Sequence, residues 1–267
     1  MKVKVLIVTA AGMAKRFNES LSVTGNSCDV IKCLYSDGDP KETLLYRLLQ
    51  DFCDVDKVII VGGYKYKKLK NTIDIEPSFS EFRDRIVLIN NENYEEYGSG
   101  FSLLKGLRAA INMNPDEIIF SEGDLFLDSG SCRRICDSDK NILTINKEAI
   151  YADKAVIMYM DENNGIHYIY DTSHGKLQIN ETFIAIFNSG QVWKFKNISR
   201  IKSVIDRLDK HDWYGTNLVF VEKYFNGLES SEYEIVEFEH WINCNTVEDY
   251  NRVFELEASD EDNKRKA

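Results

Sequence analysis

Proline and glycine are scarce in this 267-residue chain, at three and 15 residues, so no Pro/Gly-rich linker divides it. The expectation is one large domain, or a domain with a small appendage. Basic residues are also in deficit: 33 Lys and Arg stand against 44 Asp and Glu, a formal charge of −11. An acidic surface repels a phosphate backbone, which argues against sequence-independent nucleic-acid binding but leaves room for a local basic pocket. No CxxC pair occurs among Cys28, Cys33, Cys53, Cys132, Cys136 and Cys244. Cys132 and Cys136 have no histidine cluster beside them, so free thiols in a reducing, cytoplasmic compartment are expected rather than zinc. His167, His174 and His240 show no spacing that suggests a metal site or a triad. No apolar run is long enough for a membrane span. The opening Lys2–Val8 segment is broken by Lys4 and reads as a buried first strand instead of a leader. No internal repeat is visible.

What is present is an ordinary globular composition, with 43% hydrophobic residues. A chain of this size buries roughly three quarters of its unfolded surface. The first half alternates strand and helix. Strands are expected at Val3–Thr9, Lys57–Val61, Arg85–Ile89 and Glu117–Ser121, and helices at Thr43–Phe52, Tyr64–Ile73 and Gly100–Ile111. A long loop is expected from Ala10 to about Pro40. This order implies βαβ units and a mostly parallel sheet. The second half changes character. Ala155–Met160 and Ile166–Asp171 flank a hairpin-like turn, Thr182–Asn188 reads as a strand, and helices are expected at Ser199–Leu208, Tyr214–Phe225 and Val247–Leu256. The expected organisation is a single domain over 1–257, with halves at 1–128 and 140–257, followed by a charged, flexible tail at 258–267.

Ligands of parallel α/β sheets bind beyond the carboxyl ends of the strands. Two of those ends carry suggestive chemistry. After the first strand comes Thr9-Ala10-Ala11-Gly12-Met13-Ala14-Lys15-Arg16-Phe17, whose small residues let backbone N–H groups approach a phosphate, with two cations beside them. It matches neither the Rossmann GxGxxG nor the P-loop spacing, and alone it reads equally as a surface turn. After the fourth strand comes Ser121-Glu122-Gly123-Asp124, where a carboxylate can hold Mg²⁺ against a phosphate. A plain strand-end turn is the alternative.

Together these segments resemble the nucleotidyltransferases of the Rossmann-like GT-A fold, an α/β architecture with a mixed, mostly parallel central sheet flanked by helices. The family's strand is followed by a Leu-x-Ala-Ala-Gly-x-Gly-x-Arg loop and, further on, Pro-Lys. Here the residues are Val8 to Arg16, then Ile31-Lys32. Ala14 stands where the family has its second glycine, and Ile31 where it has proline. The resemblance implies that Arg16 and Lys32 neutralise a triphosphate as catalytic residues, and that Ala10, Ala11, Gly12, Met13, Ala14 and Lys15 cradle it. Asn91 to Ser102 is similar to the base-reading segment, with Gly98 and Ser102 facing a pyrimidine; a helix start capped by Ser99 fits the same residues. Asp124 takes the metal-ligand position, with Glu122 beside it among the nucleotide-binding residues. Trp241 to Tyr250 resembles the closing strand and helix, where Asn245 replaces a second acidic ligand and Thr246 is a helix cap. His211-Asp212-Trp213-Tyr214 loosely resembles an acceptor-lining segment of the choline-phosphate-type cytidylyltransferases. Asp212, Trp213 and Tyr214 are therefore expected at the acceptor, and an aromatic wall that adds Tyr168 and Tyr170 is one reading. The resemblance runs from Lys4 to about Leu256. It implies transfer of a nucleotidyl group, CMP from CTP foremost, to a small phosphorylated acceptor, with Mg²⁺ as cofactor. A sugar-1-phosphate nucleotidyltransferase and a non-catalytic nucleotide-binding protein are the alternatives. An oligomer is compatible with all three readings.

Overall fold

The computed structural model describes residues 2–23, 29–151, 156–170 and 178–266, with backbone only for Tyr170 and 259–266. Cys28, Ala155, Asp171 and His174, and the side chain of Tyr170, lie outside that description. In chain order the elements are β1 (Lys4–Ala10), α1 (Lys15–Val23), α2 (Leu44–Asp51), β2 (Lys57–Gly62), α3 (Tyr66–Ile75), β3 (Ile86–Asn90), α4 (Ser99–Ile111) and β4 (Glu117–Glu122). Then come β5 (Leu125–Leu127), α5 (Ser129–Asp137), β6 (Asn141–Asn146), β7 (Val156–Asp161), β8 (Ile166–Tyr170) and β9 (Phe183–Phe195). The chain closes with α6 (Ile198–Arg207), α7 (Leu218–Phe225), β10 (Tyr233–Glu237), β11 (Trp241–Asn243) and α8 (Val247–Lys266).

The main sheet runs β10-β6-β9-β4-β1-β2-β3, with β7 paired to β9 and β8 paired to β7. Strands β4, β1, β2 and β3 are mutually parallel, whereas β9 is antiparallel to β4, β6 and β7. The central parallel strands β1 and β2 are buried on both faces, which requires continuous apolar runs, whereas edge strand β3 is half-buried. Val5 to Val8 and Val58 to Ile60 are fully inaccessible. One core packs α4, α6 and α7 on one face of the sheet, and a second packs α2, α3 and α5 on the other. A third joins Phe17 and Leu21 of α1 to Tyr250 and Val253 of α8. Among the described residues no helix is long and apolar enough to cross a membrane.

The structure departs from the sequence expectation in several places. Helix α1 lies inside the expected long loop; only Phe17 and Leu21 are buried along it, too few to show a helical stripe. Strand β9 runs thirteen residues, well past the expected Thr182–Asn188. Strands β5, β6 and β10 and helix α5 were not anticipated. Helix α7 starts at Leu218, because Asp212–Tyr214 forms a separate 3₁₀ turn. Helix α8 continues beyond Leu256 to Lys266.

Two features place the site. From β1 the chain winds to β2 and β3 on one side, then returns to β4 on the other side of β1. The loops leaving β1 and β4 therefore diverge, and a crevice opens between them. Strand β9 carries a bulge where Gly190, Gln191 and Val192 lie opposite Thr144. Gln191 has a left-handed backbone there (φ 56°), and the Thr144 hydroxyl pairs with both the N–H and the carbonyl of Val192. Bulges of this kind re-aim side chains, often beside a site.

Candidate active site

A cavity of about 580 Å³ occupies the crevice. The β1 loop supplies Ala10, Ala11, Gly12, Ala14, Lys15 and Arg16; Met13 is not part of the lining. Helix α1 starts at Lys15, so its first N–H groups lack intrahelical partners, and Ala14, Lys15 and Arg16 at that end line the cavity. Nothing lies within 4 Å of where a Cβ on Gly12 would stand, which leaves room for a ligand there. Ala14 takes φ 50°, the conformation that a glycine adopts freely. The loop thus keeps a glycine-type backbone without the glycine.

Lys32 enters from a 3₁₀ turn, Lys32–Leu34. Its Nζ lies 2.6 Å from Asp124 Oδ2 and 3.3 Å from Asn245 Oδ1, and an Arg16 guanidinium N–H donates to the same Asn245 oxygen at 3.0 Å. Four residues from three distant parts of the chain meet at one point. The meeting depends on β5 and β11, which pair antiparallel, and on Cys244 N–H donating to the Asp124 carbonyl at 2.9 Å. Asp249 Oδ2 accepts from the N–H groups of Asn245 and Thr246, while Thr246 Oγ1 accepts from Asp249 N–H. This reciprocal cap starts α8 as expected and orients Asn245.

The same residues fit a hard divalent cation. Asp124 Oδ1 is buried and has no hydrogen-bond partner, and the Lys32 ammonium already sits as a positive charge between the Asp124 and Asn245 oxygens. An all-oxygen pair with few protein ligands suits Mg²⁺ shared with phosphates.

On the side expected to read the base, Ser102 is buried and its Oγ accepts from Asn91 Nδ2 at 2.9 Å, which leaves its own proton to donate. Gly98 also lines the cavity, but its N–H is taken by the Trp213 carbonyl at 2.9 Å. Its lack of a side chain has another cause: a Cβ would stand 2.1 Å from the Gly215 carbonyl oxygen. Gly98 is also the residue that caps α4, in place of the expected Ser99, whose hydroxyl accepts from Asn217 N–H.

The far wall comes from the antiparallel half: Gln191 of the β9 bulge, Thr216, Asn217 and Leu218 at the start of α7, Asn243 of β11, and Val156. Gln191 and Asn217 are almost fully buried. Asn217 Nδ2 donates to Glu122 Oε1 at 2.5 Å, and Asn243 Oδ1 is buried without a partner. Removal from water, reinforced by the charge of Asp124, pushes the Glu122 carboxyl up to about 7.

The residues expected at the acceptor do not line this cavity. Asp212 is ion-paired to Lys223 at 2.8 Å. Trp213 packs on Tyr97 and Phe101. Tyr214 is largely exposed with its edge on Tyr97. None of the three lines the cavity. Tyr168 is also separate, its hydroxyl accepting from Trp193 Nε1 at 2.8 Å. Trp213 holds the segment before α4 through these ring contacts and through the Gly98 N–H on its carbonyl. Gln191, Asn217 and Asn243 were not among the expected site residues: Gln191 lies past the expected strand, and isolated amides inside the expected Tyr214–Phe225 helix and Trp241–Tyr250 segment carry no signal of their own. Cys33, Cys132, Cys136 and Cys244 are free and buried, and burial pushes the Cys136 thiol up to about 11. That suits inert packing rather than metal binding.

The mixed, mostly parallel sheet with a cavity at the ends of β1 and β4 places the chain in the nucleotidyltransferase fold. The chain belongs to the family described as Domain of unknown function (DUF6564), whose model matches residues 28–257. Solved structures share its architecture across nearly the whole chain. The inositol-1-phosphate CTP transferase from T. maritima is 19% identical, with TM-score 0.64 and coverage of 96% of this chain and 95% of that one. A putative glucose-1-phosphate thymidylyltransferase from Bacillus anthracis gives 11%, 0.67, and 95% of each chain. The CTP:phosphocholine cytidylyltransferase from Streptococcus pneumoniae gives 16%, 0.59, and 96% and 99%. Identities this low establish the fold. No curated protein sequence matches the chain.

Proposed function

We propose that the protein transfers a nucleoside monophosphate from a nucleoside triphosphate, CTP by preference, to a small phosphorylated acceptor and releases pyrophosphate. The observation that carries this reading is the convergence of Arg16, Lys32, Asp124 and Asn245 in one cavity at the ends of β1 and β4. The reaction brings two polyanions together, and its main cost is their repulsion. Arg16, Lys32 and the N–H groups at the start of α1 offset the triphosphate charge and hold it for in-line attack. An acceptor phosphate oxygen forms a bond to the α-phosphorus, the bond to the β-phosphate oxygen breaks, and its electron pair leaves with pyrophosphate. The acceptor is already an anion, so no general base is needed. Mg²⁺, held by Asp124 and Asn245, would neutralise phosphate charge when bound. The Ser102 hydroxyl supports the pyrimidine preference. Structural neighbours that use CTP, on inositol 1-phosphate or on phosphocholine, are compatible with it.

The far wall favours one kind of acceptor over another. Gln191, Asn217 and Asn243, with Glu122 opposite at the end of β4, offer hydrogen bonds, whereas Asp212, Trp213 and Tyr214 do not line the cavity. A polyhydroxy phosphate, such as a sugar or polyol phosphate, fits that lining better than a choline-type head group. A cytoplasmic setting accords with the free thiols. The test is pyrophosphate release across four nucleoside triphosphates and a panel of sugar, polyol and amino-alcohol phosphates and phosphonates, with and without Mg²⁺. Turnover with CTP and a polyol phosphate is expected. Nucleotide binding without turnover on any member would instead identify a non-catalytic nucleotide-binding protein.

A further inference from the structure

A second cluster of ligating side chains lies on the β7–β8 hairpin, away from the crevice. Asp161 ends β7, His167 stands in β8, and Glu181 precedes β9; one ligand atom from each falls within 4.8 Å of the other two. We propose that Asp161, His167 and Glu181 bind one first-row divalent cation, zinc by preference, which ties the hairpin to the strand that carries Gln191.

The spacing suits a metal. His167 Nε2 and Asp161 Oδ2 are 3.0 Å apart. Two ligand atoms each ~2.0 Å from one tetrahedral zinc ion are separated by about 3.3 Å, so a small side-chain adjustment admits the ion between them. One imidazole with two carboxylates is a donor set for zinc or its first-row neighbours rather than for Ca²⁺ or Mg²⁺. Gly165 keeps the space open, because a Cβ there would stand 2.7 Å from Asp161 Oδ2 and 3.0 Å from His167 Nε2.

Each of the three residues also has an outer partner that fixes it. Asp161 Oδ1 accepts from the N–H groups of Asn163 and Gly165, both at 2.8 Å, which leaves Oδ2 for an ion. His167 Nδ1 lies 3.7 Å from Glu222 Oε1, and the Tyr168 N–H holds the other Glu222 oxygen at 3.1 Å. The Tyr159 hydroxyl donates to Glu181, and the Tyr159 ring stacks on His167 at 4.9 Å. A carboxylate behind the far nitrogen of a histidine is the usual support of a metal-bound imidazole. Glu222 belongs to α7, whose first residue Leu218 lines the cavity, and β7 begins at cavity-lining Val156. The cation would therefore fasten elements of the far wall.

The test uses the full chain carrying Asp124→Asn, which removes the active-site carboxylate, stripped with a chelator and titrated with Zn²⁺ by calorimetry. One zinc per chain, a raised Tm and visible absorption bands on substitution with Co²⁺ are expected. His167→Gln and Glu181→Gln should each weaken zinc binding by at least ~10-fold, and Glu222→Gln by about 10-fold. Glu181 is exposed, so its variant should fold even if the His167 variant does not. Absence of stoichiometric binding, or binding unchanged by Glu181→Gln, would overturn the proposal and leave a histidine flanked by carboxylates as an ion-pair network.

Discussion

The two walls of the cavity are made by different kinds of sheet, and they carry different chemistry. The wall at the ends of the parallel strands holds charge: Lys15, Arg16, Lys32 and Asp124, with Asn245 joined to them. The wall from the antiparallel half holds amides: Gln191, Asn217 and Asn243, of which Asn217 reaches across to Glu122 at the end of parallel strand β4. Charge is what any reaction at a triphosphate requires, so under the proposed function the first wall would set the reaction class. Neutral hydrogen-bonding groups discriminate between acceptors, because an unmatched partner leaves a buried polar group unpaired. Under the proposed function, reaction and specificity would be separated in space, on elements with different folding logic.

The largest expected effects fall on the charged wall. Asp124→Ala should abolish metal-dependent turnover, and Lys32→Ala or Arg16→Ala should each lower it on the order of 100-fold or more, since one transition-state contact is worth ~3 kcal/mol. Steady-state pyrophosphate release measures this, and wild-type turnover in any of the three would remove that residue from the machinery. Next is Asn245. Asn245→Leu should raise the Mg²⁺ concentration needed for half-maximal rate sharply, and Asn245→Asp should lower it, because a carboxylate binds the ion with charge. A Mg²⁺ titration unchanged by Asn245→Leu would reduce Asn245 to a strand-end residue.

On the amide wall, Gln191→Leu and Asn217→Leu should each raise the acceptor KM about 10-fold, the loss of roughly 1.4 kcal/mol of hydrogen bonding. The nucleoside triphosphate KM should barely move. A larger effect on the nucleotide than on the acceptor would erase the division between the walls. A smaller effect concerns the cost of the phosphate loop. Ala14→Gly should stabilise the fold by about 0.5–1 kcal/mol, because a left-handed alanine is strained where glycine is not; urea unfolding would show this as a higher midpoint.

A further effect lies outside both walls. Burial pushes the Asp51 carboxyl from 3.8 up to about 7, against the opposing charge of Arg47. The folded chain then keeps a proton that the unfolded chain has released, so stability falls as pH rises through that window. Asp51→Asn should flatten the fall between pH 4 and 7, as measured by unfolding at several pH values.

Legibility followed the same division. The parallel strands read plainly, since burial on both faces forces unbroken apolar runs such as Val5 to Val8. Strand β6 is equally buried yet carries Asn141, Thr144 and Asn146, and these polar residues hid it. Their partners come from far away: Asn141 Oδ1 accepts from the Tyr224 hydroxyl, and Asn146 Nδ2 donates to the Ser189 carbonyl. Lys194 concealed the end of β9 in the same way. It is fully buried, 2.9 Å from Glu117, and donates to the carbonyls of Ile135, Cys136 and Ser138. Asp161 and His167 showed no metal-ligand spacing, because the hairpin that brings them together sets a cross-strand register rather than a helical one.

From local pattern alone, the sequence determined the parallel half of the sheet, the small-residue loop with Lys15 and Arg16, the carboxylate of Asp124 at a strand end, and the Thr246 cap. Each rests on neighbours within a few residues, where periodicity and turn chemistry act. Only the tertiary structure decided that Asn245 meets Lys32 and Arg16, that Asp212, Trp213 and Tyr214 brace a loop, and that Gln191, Asn217 and Asn243 form the second wall. Those outcomes depend on β5 pairing with β11 and on the bulge of β9 opposite Thr144. Such long-range pairings are chosen by packing of the whole sheet, and no short stretch of sequence contains the energy that selects them.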